Sequence, residues 1–153
     1  MEKEYKMIRK FAETDKKAFL TMCMDFYSGE GVDHTIPAAY AAKTFEILLH
    51  DNSPFCDAYI CERNGKTAGY VLLAITYSNE AGGEVVWIEE LYTVPDARGT
   101  GVASELIDYV LDNYSKAARF RLEVTDENEG AVRLYKKKGF VPLKYNQMEI
   151  LKK

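Results

Sequence analysis

Val94-Pro95-Asp96-Ala97-Arg98-Gly99-Thr100-Gly101-Val102-Ala103-Ser104 is the stretch on which the reading of this chain turns. An apolar run, Val85-Val86-Trp87-Ile88, precedes it, and a helical stripe of Ala103, Leu106, Ile107, Val110 and Leu111 leads out of it. A strand therefore enters a helix through a turn holding two glycines. Gly99 and Gly101 carry no Cβ, so a ligand can come close to the main chain there. The first N–H groups of a helix lack partners within it, and the dipole makes that end partly positive. The stretch predicts an anion site, most simply for a phosphate or pyrophosphate, at the start of this helix.

Working outward, residues 5–9 suit a short edge strand. Thr14 or Asp15 can cap a first helix, whose stripe holds Phe19, Leu20, Cys23, Phe26 and Tyr27. Ser28-Gly29-Glu30-Gly31 breaks it, and Pro37 fits the first turn of a second helix that ends at Asp51-Asn52-Ser53-Pro54. Strands are expected at Ala58-Tyr59-Ile60-Cys61 and at 67–77, joined by an Asn64-Gly65 turn, the strongest short hairpin signal. A third, at 84–93, is apolar on both faces and belongs inside a sheet. On the helix after the glycine turn, Glu105, Asp108 and Asp112 are expected to face water. The alternation at 119–124 predicts a strand. Asp126 or Asn128 caps a last helix, Asp126 and Glu129 having capping-box spacing. Gly139 ends that helix with Phe140 folding back on it, and 145–151 is expected as a final strand. The order β-α-α-β-β-β-α-β-α-β mixes hairpins with helical crossovers, so the fold class is α/β: a mixed sheet flanked by helices, one domain over 1–153.

A chain of 153 residues suits a single core. Its net charge of -4 argues against a nucleic-acid partner, which calls for a basic face. No apolar run approaches the roughly 20 residues of a membrane span. The charged start, Met1-Glu2-Lys3-Glu4-Tyr5-Lys6, leads into no apolar signal core, so a cytoplasmic location is expected. Three cysteines at irregular spacing make no disulfide framework. Cys56 and Cys61 lack zinc-knuckle spacing, and His34 and His50 are distant from them in sequence. Buried, reduced thiols and no metal are the expectation.

Which phosphate ligand the turn takes depends on its neighbours. A nucleotide P-loop needs Lys and then Ser or Thr after its last glycine, and Val102 stands there instead. A dinucleotide fingerprint needs Gly or Ala where Ser104 stands, early in the chain rather than after hairpins. Arg98-Gly99-Thr100-Gly101-Val102-Ala103 resembles the Arg/Gln-x-x-Gly-x-Gly/Ala signature of the GCN5-related N-acetyltransferases. Ile88-Glu89-Glu90-Leu91-Tyr92-Thr93-Val94-Pro95 looks like that family's fourth strand. Asn128-Glu129-Gly130-Ala131-Val132-Arg133-Leu134-Tyr135, running on to Gly139-Phe140, looks like its second signature. The element order is similar over essentially the whole chain, which implies a mostly antiparallel central sheet.

The resemblance implies acetyl-CoA as acetyl donor, without a metal. Its pyrophosphate would lie on the amides of Gly99, Thr100, Gly101, Val102, Ala103 and Ser104, with Arg98 beside them. Its pantetheine arm would pair with the backbone of Leu91, Tyr92 and Thr93 as an added strand, the Thr in place of the family's more common Val being harmless to main-chain bonding. Asn128 would bond the arm, though it also reads as a plain helix cap. Tyr135 would be the general acid at the sulfur, or a packing residue on the face it shares with Ala131 and Val132. Glu89 aligns with the base of the polyamine-acetylating branch. Glu90, or no carboxylate at all, are the alternatives. Leu91 or Tyr92 would supply an oxyanion N–H. The acceptor, an amine of a small molecule or protein, would meet Tyr27, Glu30, Asp33 and His34 in the loop between the first helices. Two functions are open: an N-acetyltransferase, and an acetyl-CoA-binding sensor without turnover. Family members are often dimers, so a homodimer is open too.

Overall fold

The computed structural model describes residues 7–29, 32 and 34–152. Its elements are β1 (Ile8–Lys10), α1 (Lys16–Phe26), α2 (Ala38–His50), β2 (Cys56–Arg63), β3 (Lys66–Ser78), β4 (Gly83–Thr93), α3 (Val102–Asn113), β5 (Arg119–Leu122) and α4 (Glu129–Lys137). The five strands form one sheet in chain order. β1 to β4 pair antiparallel, and β5 joins β4 in parallel after the α3 crossover. The expected mixed, mostly antiparallel sheet is present. β4 lies inside it, between β3 and β5, as its two apolar faces require. No helix among the described residues is long and apolar enough to cross a membrane.

Each face of the sheet has its own core, because successive strand residues point to opposite sides. On one face Tyr59, Val71, Leu73, Val86 and Ile88 pack against Val102, Leu106, Ile107 and Val110 of α3. On the other, Ile60, Tyr70, Leu72 and Tyr92 pack against Phe19, Met22 and Cys23 of α1 and Ala41 and Phe45 of α2. Phe19 meets Tyr70 edge-on at 5.2 Å between ring centroids. Gly69 lets these layers close up. A Cβ there would run into the Tyr92 carbonyl oxygen and the Val102 side chain. The β2–β3 hairpin turns on Asn64 and Gly65, at φ +52° and +74°, the paired positive φ values of a type I′ turn.

Helix starts follow the sequence less closely. Asp15 does sit at the N-cap of α1, but its carboxylate caps nothing there. It takes Arg9 Nη1 at 2.7 Å and Nη2 at 2.9 Å, and the Ala12 N–H at 2.7 Å, tying β1 to the entry of α1. The Arg9 guanidinium holds this buried carboxyl below its ordinary range. Thr14 lies in the short 3-10 turn before it. Pro37 stands at the N-cap of α2 rather than in its first turn. Asn128, not Asp126, caps α4, its side-chain oxygen accepting from the Ala131 N–H. Gly139 ends α4 at φ +103°, and the Phe140 N–H returns to the Tyr135 carbonyl at 3.0 Å. Asp108 is half-buried and pairs with Lys138 at 2.8 Å instead of facing water.

Two expectations at the ends need adjustment. The edge strand is Ile8–Lys10, and Tyr5 and Lys6 lie outside the described residues. No strand forms at 145–151: Met148 and Ile150 are 97% and 94% exposed. Alternation says what a strand could bury, but not that an edge is there to pair with it. β5 offers an edge of only four residues, Pro142 has no N–H to give, and the Tyr145 hydroxyl bonds instead to Glu80 beyond β3, at 2.9 Å.

Candidate active site

β4 pairs with β3 over its whole length but with β5 only from Val85 to Ile88. Beyond Ile88 the two parallel strands part, and among the described residues no strand lies beside the β4 edge from Glu89 to Thr93. A β-bulge falls at this fork. Leu72 opposes Glu90 and Leu73 opposes Ile88, which leaves Glu89 as the extra residue. A cleft of about 1060 Å³ runs between the end of β4, the glycine turn, α4 and the end of α1.

The glycine turn forms one wall. Gly99 and Gly101 stand at φ +78° and +92°, and a Cβ on either would meet nothing within 4 Å. The backbone here opens onto space that a side chain would fill. Gly101, the N-cap of α3, has no side chain to cap it, and the Glu105 N–H bonds to the Gly101 carbonyl at 3.0 Å. The N–H groups of Val102, Ala103 and Ser104 precede that bond and lack helical acceptors. Arg98 folds back on β4. Its Nε donates to the Thr93 carbonyl at 3.2 Å, its guanidinium lies 5.9 Å from the Tyr92 ring centroid, and Nη2 is 3.9 Å from Asp25. The free N–H groups and open backbone of this turn fit a pyrophosphate.

α4 forms the opposite wall with Asn128 and Tyr135. The Tyr135 ring packs edge-on against Phe140, 6.0 Å between centroids. Burial pushes its phenol above the ordinary value, so it carries its proton at neutral pH.

Leu91, Tyr92, Thr93, Arg98, Gly99, Gly101, Val102, Ala103, Ser104, Asn128 and Tyr135 all line this one cleft. Thr100 does not. It shapes the turn, its hydroxyl donating to the Ala97 carbonyl at 2.5 Å. Glu89 is exposed at the fork and is not part of the cleft wall. Desolvation by nearby protein, then the negative charges of Glu90 and Glu123, raise its carboxyl above the usual range. The buried carboxylate of β4 is Glu90, not Glu89. The bulge sends Glu90 into the α1 face, where its oxygens accept from Tyr70 Oη at 2.7 Å and Tyr27 Oη at 2.5 Å. Tyr27 is thus bonded to β4 and is no part of the cleft wall. His34 is exposed and also off the wall. Glu30 and Asp33 lie outside the described residues.

The sequence reading missed the end of α1, where Asp25, Phe26, Ser28 and Gly29 join the cleft. Asp25 accepts from Tyr92 Oη at 2.5 Å. Burial and this bond push the Tyr92 phenol up to about 12. One faint signal was available. Asp25 sits in the last turn of α1, which holds no basic residue, and the helix dipole disfavours an anion there.

Comparison with known proteins gives this geometry a family. The pattern of the acetyltransferase (GNAT) family matches residues 18–140. An uncharacterized N-acetyltransferase of Methanocaldococcus jannaschii is 32% identical over 137 residues, covering 87% of this chain. The match takes in 59% of that relative, so the chain spans about three fifths of its length. A thialysine N-epsilon-acetyltransferase of Mus musculus is 27% identical over 139 residues, 84% of this chain and 80% of its own. The aminoglycoside N-acetyltransferase AAC(6')-Iy, crystallised with CoA, shares the fold with a TM-score of 0.74 at 19% identity, over 95% of this chain and 93% of the other. Since the family pattern spans well over half of its residues, this chain belongs to the acetyltransferase (GNAT) family.

Proposed function

We propose that the chain is an acetyl-CoA-dependent N-acetyltransferase that passes the acetyl group to a primary amine by direct attack on the thioester. One observation carries this reading: the open glycine turn, the unpaired edge of β4 and the Tyr135 phenol face a single cleft. A pyrophosphate on the amides of 99–104 and a pantetheine arm along Leu91–Thr93 would set the thioester near the fork. Acetyl-CoA supplies the activated acyl group. The chain supplies the proton handling. Glu89, open to solvent and raised above the ordinary carboxylate range, takes the proton that an ammonium must lose before it can attack, directly or through water. The N–H of Leu91 or Tyr92 stabilises the oxygen that becomes negative. Tyr135 returns a proton to the departing sulfur. Asp25 in the cleft wall and Glu89 at the fork bring negative charge to the acceptor side, which favours a small cationic amine over a neutral one. The names of the thialysine-acetylating relative and the CoA-bound structural neighbour support the same donor and acceptor classes.

The test is calorimetric titration of CoA into wild type and Gly101→Asp, with thiol release from acetyl-CoA measured over polyamines, thialysine, aminoglycosides and peptides. Gly101→Ala serves as control for the strain of a side chain at positive φ. The Asp variant, which sets a like charge in the anion site, should bind CoA at least about tenfold more weakly than the Ala variant. Equal affinity in folded variants would overturn the pyrophosphate assignment. CoA binding without thiol release from any amine would make the chain a sensor instead.

A further inference from the structure

Glu90 has no part in the acyl-transfer scheme, yet it is the most confined acidic group near the fork. It is 5% exposed within the core formed by α1, α2 and the sheet. Its partners are all neutral donors: Tyr70 on β3, Tyr27 at the end of α1, and Cys23, whose sulfur lies 3.8 Å from Oε1. Burying a carboxylate is costly, and a nonpolar residue of similar volume would pack there more cheaply. Phenol donors solvate the charge without cancelling it, since two hydroxyls bring dipoles and no opposite charge. Glu90 is also the residue next to the bulge that presents Glu89, and through Tyr27 it reaches the point where the chain leaves α1 towards α2.

We propose that Glu90 is a positioning residue: its buried negative charge strengthens the neighbouring Glu89 as a base, while its bonds to Tyr27 and Tyr70 fix the end of α1 against the fork. The role of base rests on the acetyl-transfer reading. The coupling of the two carboxylates does not. Among the described residues, the groups that face Glu89 are Glu90 on its own strand, Glu123 just past β5 and the Tyr27 phenol at the end of α1. None of them is a cation, so Glu89 meets like charge from two sides. The groups that face Glu90 are Glu89 beside it, Tyr27 and Cys23 from α1 and Tyr70 from β3; burial raises its carboxyl, and the hydrogen bonds from Tyr27, Tyr70 and Cys23 oppose that rise.

Carbon-detected NMR titration of glutamate carboxyls in the full chain tests this, with Glu89→Gln to assign the signal. Glu90→Gln keeps the shape and one acceptor oxygen but removes the charge. It should weaken proton binding at Glu89 about three- to tenfold, a change of roughly 0.7–1.4 kcal/mol. An unchanged Glu89 titration in folded Glu90→Gln, with only a lower melting temperature, would overturn the proposal and leave Glu90 a purely structural group. The wild-type spectrum decides the matter even if that variant does not fold. Glu90 should be ionised over the pH range in which Glu89 titrates, and a Glu90 signal that stays protonated through that range would overturn the proposal. Neither measurement needs an acceptor, so absence of acetyl transfer would remove the role of base and leave the coupling to be judged separately.

Discussion

At the scale of single residues, Tyr135 and Glu89 divide the proton traffic of the proposed reaction. Tyr135→Phe deletes a hydroxyl but keeps the ring on Phe140. It should lower kcat at least about tenfold and change CoA affinity less than about twofold, as loss of a general acid does. Steady-state kinetics beside CoA titration checks this, and wild-type kcat would reject the role of acid. Glu89 must be unprotonated to act. Its carboxyl is raised, first by desolvation and then by Glu90 and Glu123. Activity should therefore fall as pH drops through a midpoint above the ordinary carboxylate range, and Glu89→Gln should abolish that limb of the kcat/KM profile. A limb that persists in the variant belongs to another group. The glycine turn and the cap of α4 were legible in the sequence because glycines, caps and helix starts act locally. Which carboxylate of β4 stands open at the fork was harder to read. Adjacent carboxylates look alike until a bulge decides which one the sheet buries.

At the scale of elements, the approach of β3, β4 and α3 at Gly69 sets the cleft. A methyl group there would collide with the Tyr92 carbonyl, which is backbone, and would press on Val102 at the start of α3. Gly69→Ala should cost about 2–3 kcal/mol in chemical denaturation, as overpacking a tight core does. It should also weaken CoA binding, because Val102 begins the helix whose free N–H groups form the proposed anion site. Wild-type stability in this variant would show that the layers can part without cost. The elements themselves were largely readable: the Asn64-Gly65 hairpin, the α3 stripe and the Gly139 stop all carry local signals. The capping box at Asp126 and the final strand at 145–151 failed for one reason. Each spacing was right, but a competing partner took the role: Asn128 at the cap and Glu80 for the Tyr145 hydroxyl.

At the scale of the whole molecule, the cleft joins residues from the end of α1, the middle of the chain and α4, so a ligand held there must resist their separation. CoA at about 100 times its Kd should add roughly 2.7 kcal/mol to stability. For a chain of this size that raises the thermal midpoint by about 5–10 °C. Differential scanning fluorimetry with and without CoA measures it, and a midpoint that does not move would contradict binding across these elements.

The sequence by itself determined the order of the elements from β1 to α4, the two-faced interior of β4 and the open glycine turn at the start of α3. Each of these follows from periodicity or from the backbone freedom of a few residues, which neighbours a few positions away express. Only the tertiary structure decided that β4 and β5 part after Ile88, that the bulge exposes Glu89 and buries Glu90, and that Asp25 reaches Tyr92 and Arg98 from α1. These depend on strand register and on contacts across some 65–75 residues of chain, set by the packing of all the layers at once.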